Sequence, residues 1–364
     1  MYQQRLQQLL ESMRQDGITH HIVSDPLSIY YFTGYKVDPG ERLFALNISH
    51  TGHHQFIINQ LFPLPQLPKD IKDHFTLEVF KDGEPIMERI AQQLGEGPVG
   101  IDKFWPSGFL IQLLQLKPHL TVLDGSYLVD NLRAVKSPDE IQWMTESSHL
   151  NDQAMEQITA RLTKGLSEQE MIEQLATIYQ QLGANGFSFE PIIAYGANGA
   201  DPHHMTNHDR PQLGDPVVID MGAYFKNYAS DMTRTVFYGQ PSKEALDIYH
   251  LVKQANEAAI NAVKPGVPYK EIDRAARQVI EDAGYGEYFT HRTGHFIGLD
   301  VHEAGDVSEH NPAPAQVGHI FSIEPGIYLP GKFGVRIEDL VVVTPDGCQV
   351  LNQFTKEPLI INPQ

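Results

Sequence analysis

Two acidic but otherwise apolar segments of the chain match each other, and they constrain the fold more than any other feature. Residues 217–237 read VVIDMGAYFKNYASDMTRTVF, and residues 320–343 read IFSIEPGIYLPGKFGVRIEDLVVV. Each segment has one acid four residues before a tyrosine and a second acid further on. These acids are Asp220, Asp231, Glu324 and Glu338. The β-branched residues around them predict two related hairpins of buried strands.

Carboxylates at matching positions of two buried hairpins predict a metal site. A carboxylate in a buried strand is costly unless it is paired or holds a metal, and four of them together would repel one another. Strand alternation places Arg336 and Glu338 on one face of their strand, and it places Ser322 with Glu324 in the same way. A single acid of this kind lies more often on a solvated strand face. Four at repeat-related positions favour cations between them.

A glycine-punctuated segment, THRTGHFIGLDVHE at residues 290–303, adds candidate imidazole ligands. A lone histidine is more often a structural residue than a ligand. His295 and His302 share this one segment just before the second hairpin, which favours a ligand among them. His203 or His204, in the turn-rich loop before the first hairpin, is a further candidate.

The donor set indicates which metal and which chemistry to expect. Four carboxylates and one imidazole form an oxygen-rich site, which favours Mn²⁺ or Co²⁺ over structural zinc. Five side chains would crowd one ion but suit two ions about 3.5–4 Å apart with two bridging carboxylates, a geometry typical of hydrolases. A water shared by two such ions loses its proton near neutral pH. The residues therefore predict metal-dependent hydrolysis of a carbonyl or phosphoryl compound.

Charge and cysteine content argue against several classes of partner. The chain has 46 Asp and Glu residues against 27 Lys and Arg residues, a formal charge of −19, which disfavours nucleic acid or an anionic membrane as the partner. No apolar run approaches the length of a membrane span. The single cysteine, Cys348, cannot form an intrachain disulfide, which indicates a reducing compartment. We therefore expect a cytoplasmic protein.

The order of helix and strand signals predicts two domains, at residues 1–128 and 129–364. The first alternates helix and strand patterns and is expected to be a modest α/β domain. Within it, the aromatic run IYYFTGY at residues 29–35 is interpreted as a strand. The first domain has no glycine-rich phosphate loop and no cluster of ligand residues, so we expect a support or gating role for it.

The second domain repeats a pattern of two helices followed by an acidic hairpin. Capping boxes that begin at Ser137 and Ser167 predict the first two helices. Two more are predicted at about residues 242–262 and 268–283, and the second hairpin follows them. The economical interpretation is an α+β domain with approximate two-fold symmetry and the acids at its centre.

In this order and context, the four acids and His295 resemble the creatinase/aminopeptidase P/prolidase family. The motifs GHFIGLDVHE, SIEPGIY and GVRIEDLVVV are highly specific, and YYFTGY resembles the family's N-terminal domain, so the resemblance covers nearly the whole chain. It implies a pita-bread catalytic domain with a pseudo-two-fold repeat, preceded by a smaller α/β creatinase-type domain. The chain length and the runs YYFTGYKVDPGERLF and DAGYGEYFTHRTGH are most similar to bacterial Xaa-Pro dipeptidases, or prolidases.

The resemblance implies a role for each matching acid and for the histidine. Asp220 would hold one metal ion, and His295 with Glu324 would hold the other. Asp231 and Glu338 would bridge the two ions. Glu324 would also move a proton from the bridging water to the leaving nitrogen.

Further residues match family positions around the cluster. His203 and His302 would stabilise the scissile region of the substrate. Tyr328 and Arg336 would lie against the metal cluster and orient it. Arg292 is a candidate for the substrate carboxylate, with a surface or supporting role as an equal alternative.

The function implied by the resemblance is hydrolysis of the peptide bond before the C-terminal proline of an Xaa-Pro dipeptide. The expected cofactors are two Mn²⁺ ions, with Co²⁺ or Zn²⁺ as alternatives, and the expected assembly is a homodimer. Residues 36–42 are the candidate loop by which a partner subunit excludes longer peptides. Phe296 stands where many members carry glycine, and its ring is expected to narrow the substrate pocket.

Two other functions remain open from the sequence. An Xaa-Pro aminopeptidase would act on longer peptides with the same ligands. A non-catalytic pita-bread protein would be a binding module, but such relatives usually lose metal ligands that this chain retains.

Overall fold

The structure is a computed structural model that describes all 364 residues of the chain. It divides into two compact units, Met1–Arg133 and Ala134–Gln364. The predicted division between residues 128 and 129 falls inside helix α5 (Ser126–Ala134), whose last residue opens the second unit. No helix is both long enough and apolar enough to cross a membrane.

The first unit is built on a six-stranded mixed sheet. Its strands are β1 (His20–Val23), β2 (Ala45–Ser49), β3 (His54–Asn59), β4 (Phe75–Phe80), β5 (Val99–Ile101) and β6 (Val122–Asp124). Its other helices are α1 (Tyr2–Gln15), α2 (Pro26–Thr33), α3 (Ile86–Gln93) and α4 (Ser107–Leu116). The strand order is β4-β3-β2-β1-β5-β6, antiparallel around β2 and parallel at both ends. The expected α/β character of this unit is confirmed.

The interpretation of residues 29–35 as a strand is wrong, because most of this run belongs to helix α2. Asp25 caps that helix through hydrogen bonds from the backbone N–H groups of Leu27 and Ser28, and Pro26 occupies its first turn. Gly34 ends the helix in the left-handed conformation, with φ of 70°. These cap signals outweigh the strand preference of the aromatic residues between them.

The second unit contains four long helices and several small sheets. The helices are α6 (Pro138–Arg161), α7 (Glu168–Leu182), α8 (Lys243–Ala262) and α9 (Tyr269–Asp282). The strands before α8 are β7 (Ile192–Tyr195), β8 (Asp215–Met221), β9 (Tyr224–Phe225), β10 (Tyr228–Ala229) and β11 (Met232–Tyr238). Those after α9 are β12 (Gly294–Phe296), β13 (Glu303–Val307), β14 (Ile320–Ile323), β15 (Gly326–Leu329), β16 (Phe333–Arg336), β17 (Asp339–Thr344), β18 (Gly347–Val350) and β19 (Ile360–Ile361). Both predicted capping boxes, at Ser137 and Ser167, are present.

The predicted two-fold repeat is visible in the sheets of this unit. Strands β8 and β11 pair antiparallel in a four-stranded sheet of order β19-β11-β8-β7. Strands β14 and β17 pair in the same sense in a five-stranded sheet of order β13-β12-β14-β17-β18. Each pair follows two helices in the chain, as the α+β prediction required.

Two buried asparagines tie the helices to the strands that carry the acids. Asn151 of α6 donates a hydrogen bond to the carbonyl oxygen of Met221, next to Asp220. Asn256 of α8 donates to the carbonyl oxygen of Ile323, next to Glu324. Because both side-chain amides are fully buried, each fixes its hairpin against the helix layer of its own half.

Candidate metal centre

All five predicted ligands line one cavity of about 230 Å³ in the second unit. They are Asp220, Asp231, His295, Glu324 and Glu338. Each acid lies in a paired strand or next to its end. Asp220 lies in β8 and Asp231 just before β11, while Glu324 follows β14 and Glu338 precedes β17. The pairing of these strands brings together side chains that are far apart in the chain.

The tightest part of the cluster is formed by one histidine and two acids. Ligand atoms of Asp231, His295 and Glu338 all lie within 4.8 Å of one another, and all three residues are buried. The Nε2 atom of His295 is 3.5 Å from Oδ2 of Asp231 and 3.4 Å from Oε1 of Glu324. Such spacing suits ligands that share cations.

Three carboxylate oxygens of the cluster have no hydrogen-bond partner in the protein. They are Oδ1 of Asp220, Oδ1 of Asp231 and Oε1 of Glu338, and all are buried. Burial, reinforced by the neighbouring carboxylates, raises the pKa of Asp231 and of Glu338 well above its usual range. Unsatisfied buried oxygens on groups that resist ionisation are the pattern expected of a site that requires bound cations. The residues therefore fit divalent metal ions.

Glu324 differs from the other acids in its electrostatic surroundings. Burial by itself raises the pKa of this carboxyl, but His295, His291 and Arg336 outweigh burial and leave the pKa below its usual range. Ser322 donates a hydrogen bond of 3.1 Å to Oε1 of Glu324. Glu324 is thus the acid of the cluster that the protein best stabilises as a carboxylate.

Arg336 connects Asp220 with the residues behind the cluster. Its guanidinium donates to Oδ2 of Asp220 at 2.6 Å and to the hydroxyl of Tyr328 at 2.9 Å. It also donates to Oγ1 of Thr233 at 3.1 Å, and that hydroxyl donates to Glu338 at 2.8 Å. Both Arg336 and Thr233 are buried, so the two acids are held by a single network.

Tyr328 lies beside Arg336, as predicted, and it also contacts His291. His291 Nε2 lies 2.8 Å from the hydroxyl of Tyr328, and His291 also lines the cavity. Burial raises the pKa of Tyr328 to about 12, so its hydroxyl stays protonated. The sequence predicts no role for His291, although its position four residues before His295 is a signal that it lies near the cluster.

The two predicted non-ligand histidines also line the cavity. The ring of His302 packs edge-on against that of His295, with 4.3 Å between centroids. Burial, followed by the proximity of His295 and Arg292, lowers the pKa of His302 to about 4. His203 reaches the cavity from the loop after β7, and Arg292 lines it as an exposed residue.

Comparison with known proteins agrees with this geometry. Residues 142–345 match the model of metallopeptidase family M24, and residues 5–135 match that of the creatinase/prolidase N-terminal domain. The chain belongs to metallopeptidase family M24. The M24 part is the half of the molecule that holds the cluster, and the family implies a divalent metal there.

Relatives of this M24 chain match it over its whole length. A protein of Staphylococcus aureus strain MSSA476, named only as an uncharacterized peptidase, is 35% identical over 97% of this chain and 99% of its own. The crystal structure of a dipeptidase from Pyrococcus horikoshii OT3 is similar, with a TM-score of 0.90, 34% identity and coverage of 98% and 99%. The crystal structure of a prolidase from Thermococcus sibiricus is also similar, with a TM-score of 0.91, 33% identity and coverage of 99% of both chains. The pita-bread M24 domain after a creatinase-type domain is thereby confirmed.

The expectation for Phe296 is wrong in this M24 protein. Its ring is buried in the core against Tyr269, His319 and Phe321, and it does not line the cavity. Within strand β12, His295 lines the cavity while the next side chain, Phe296, packs into the core. The apolar part of the cavity wall comes instead from Phe189, Ile192, Pro202 and Val301.

Proposed function

We propose that this M24 peptidase is an Xaa-Pro dipeptidase that hydrolyses the peptide bond before a C-terminal proline. The observation that carries the proposal is the five-ligand cluster with its unsatisfied buried oxygens, in a cavity that also contains His203, His302 and Arg292. Full-length similarity to structures named as a dipeptidase and a prolidase supports the substrate class.

The proposed site takes two divalent metal ions. Asp220 would hold one and His295 with Glu324 the other, while Asp231 and Glu338 would bridge them. The oxygen-rich donor set supports Mn²⁺ over Co²⁺ or Zn²⁺. When bound, two such ions polarise the scissile carbonyl and lower the pKa of a water to near neutrality.

The chain's own groups supply the proton transfers and the orientation. The electrostatic surroundings of Glu324 keep its carboxylate ionised, so it can accept a proton from the attacking water and deliver it to the leaving proline nitrogen, which is a tertiary amide nitrogen before cleavage. His302 is neutral near pH 7 and can donate one hydrogen bond to the substrate. We assign the same role to His203 from its position in the cavity.

Substrate recognition in this proposal needs a cation for the proline carboxylate. Arg292 lines the cavity, and its exposed guanidinium can form the paired hydrogen bonds that a carboxylate accepts. Tyr328 and Arg336 would instead hold Asp220 in place from behind, because their polar atoms already bind each other and that acid.

We also propose that the enzyme is a cytoplasmic homodimer. The single, half-buried Cys348 supports a reducing compartment. Residues 36–42 would act in the partner's site to exclude longer peptides, and two hydrogen bonds from Arg42 to Asp82 support a fixed base for that loop. A monomeric mass in light scattering at micromolar concentration would contradict the dimer.

One substrate pair tests the proposed activity. The Mn²⁺-loaded protein should release proline from Ala-Pro and leave Arg-Pro-Pro nearly intact. Cleavage of the tripeptide alone would identify an Xaa-Pro aminopeptidase instead. If neither peptide is cleaved, the chain is better described as a binding module.

A further inference from the structure

A buried carboxylate outside the metal cluster holds the loop that carries His203. Glu168, the first residue of α7, is fully buried. Its Oε1 accepts hydrogen bonds from the backbone N–H of Tyr195 at 2.9 Å and from the side chain of Asn198 at 2.8 Å. Its Oε2 accepts from the backbone N–H of Asn207 at 2.9 Å and lies 2.7 Å from Nε2 of His204. Four donors thus meet one side chain.

These contacts hold together the two ends of the loop, residues 195 and 207. Tyr195 ends strand β7 and Asn207 lies twelve residues later, yet the two backbone N–H groups reach the two oxygens of the same carboxylate. The start of α7 adds two more bonds to the C-terminal end of the loop, because the backbone N–H groups of Glu168 and Gln169 donate to the carbonyl oxygens of Asp209 and Asn207. The four donors use the acceptor sites of the Glu168 side chain. Hydrogen bonds to an ionised carboxylate are stronger than those to a neutral acceptor.

The far side of the same loop rests on the network behind the metal ligands. Arg336, which holds Asp220, also donates to the carbonyl oxygen of Pro202 at 3.5 Å. Gly334 of β16 packs so closely against Gly199 that a Cβ on Gly334 would clash with the carbonyl oxygen of Gly199. The loop is therefore fixed at two places, with His203 between them.

His203 itself depends on these anchors. Its backbone N–H is held by Asp201 at 2.9 Å, but its imidazole makes no hydrogen bond within the protein and is exposed in the cavity. Its position is set by the backbone, and the neighbouring residue, His204, is bound directly to Glu168. We infer that Glu168 is a positioning residue for the reaction. By holding residues 195–207 in place, it orients His203 toward the substrate. This inference rests on the role of His203 in the proposed function.

A double-mutant cycle measures this coupling in the full-length, Mn²⁺-loaded protein with Ala-Pro as substrate. We expect Glu168→Gln to lower kcat/KM by roughly ten- to a hundredfold, the cost of a small misplacement. Metal content should stay at the wild-type level. Adding Glu168→Gln to His203→Ala should lower kcat/KM no further, because the residue being positioned is already absent. Effects that simply multiply would overturn the inference.

Two further variants separate positioning from general destabilisation. Glu173→Gln makes the same chemical change at an exposed position of the same helix and should leave kcat/KM unchanged. His204→Ala removes one of the four donors and should reproduce part of the loss. It replaces Glu168→Gln in the cycle if that variant does not fold.

Hydrogen exchange tests whether Glu168 holds this loop, without relying on activity. Amides of residues 196–207 should exchange faster in Glu168→Gln than in Glu173→Gln, while those of α8 and α9 should be equal in the two variants. Unchanged exchange in the loop overturns the inference even if peptidase activity falls. If wild-type protein cleaves neither Ala-Pro nor Arg-Pro-Pro, the proposed function fails, and the exchange data still decide whether Glu168 holds the loop.

Discussion

At the scale of single residues, the four acids of the cluster do not have equivalent surroundings. Glu324 is stabilised in its ionised form by His295, His291 and Arg336, although burial opposes ionisation. For Asp231 and Glu338, burial and the neighbouring carboxylates outweigh the nearby cations and raise the pKa, and each has a buried oxygen without a partner. This difference supports the proposal that Glu324 transfers the proton and that the other two acids need bound metal to ionise.

Replacing Glu324 tests that assignment. Glu324→Ala should reduce kcat on Ala-Pro at least as much as loss of a general acid–base group does, about 10²–10⁴-fold. The fold should be kept, because Ser322 is the only hydrogen-bond donor left without this acceptor. Steady-state kinetics and circular dichroism are the measurements, with the exposed Glu309→Ala as control. Activity near the wild-type level in Glu324→Ala would remove the proton-transfer role.

Arg336 is a second residue whose loss has a defined cost. Arg336→Met should lower the free energy of unfolding of the metal-free protein by about 3–5 kcal/mol, because Asp220 stays buried without its partner. The matched control is Arg274→Met, which breaks an exposed ion pair with Glu281 and should cost under about 1 kcal/mol. Urea unfolding in EDTA measures both. Equal losses would mean that the buried pair contributes no more than a surface one.

At the scale of elements, local cap signals decide where helices begin. Asp25 accepts hydrogen bonds from two backbone N–H groups of α2 and from the guanidinium of Arg133 at 2.9 Å. The same buried carboxylate therefore starts a helix and neutralises a buried cation. This combination explains why the aromatic run after it is helical.

Removing this carboxylate should destabilise the first unit more than an ordinary cap. Asp25→Ala is expected to cost about 3–5 kcal/mol, since the buried ion pair with Arg133 is lost in addition to the cap. Asp139→Ala, which removes an exposed acid from the first turn of α6, should cost about 0.3–1 kcal/mol. Denaturant unfolding followed by circular dichroism compares the two. A loss near 1 kcal/mol in Asp25→Ala would show that the ion pair with Arg133 adds little to the cap.

The features that were predictable from sequence are those with a repeated or local signal. The capping boxes at Ser137 and Ser167 and the paired hairpins were readable because their residues lie close together or recur in both halves. Helix α2 differs from the predicted strand because its Asp25-Pro26 cap outweighs the strand propensity of the aromatic run. The direction of Phe296 and the partner of His291 depend on which face of a strand meets the core, and that is settled only by packing.

At the scale of the whole M24 unit, the candidate metal centre lies where two similar halves meet. Each half contributes two carboxylates from one strand pair, and each pair is tied to its own helix layer by a buried asparagine. The four acids come together only when both halves are folded. Without cations they bring like charges into a buried space, so the assembled unit and bound metal stabilise each other.

Metal removal should therefore destabilise the protein more at high pH than at low pH. Unfolded carboxylates ionise near pH 4, whereas burial raises the pKa of Asp231 and Glu338 in the folded, metal-free protein. The unfolded state thus binds fewer protons, and stability falls as pH rises from about 4 through the raised pKa values. Bound ions pair with the ionised carboxylates and remove this loss. The difference in Tm between Mn²⁺-loaded and EDTA-treated protein should widen between pH 5 and pH 8.

Scanning fluorimetry at several pH values measures that difference, and each kcal/mol corresponds to about 2–4 °C in a domain of this size. The double variant Asp231→Asn, Glu338→Gln is the matched control, because amides of the same shape do not ionise. Its Tm in EDTA should lose the pH dependence that the wild-type protein shows over this range. Parallel Tm curves for the loaded and metal-free wild-type protein would mean that these two acids already ionise freely without metal. In that case the unsatisfied oxygens of the cluster would have another explanation.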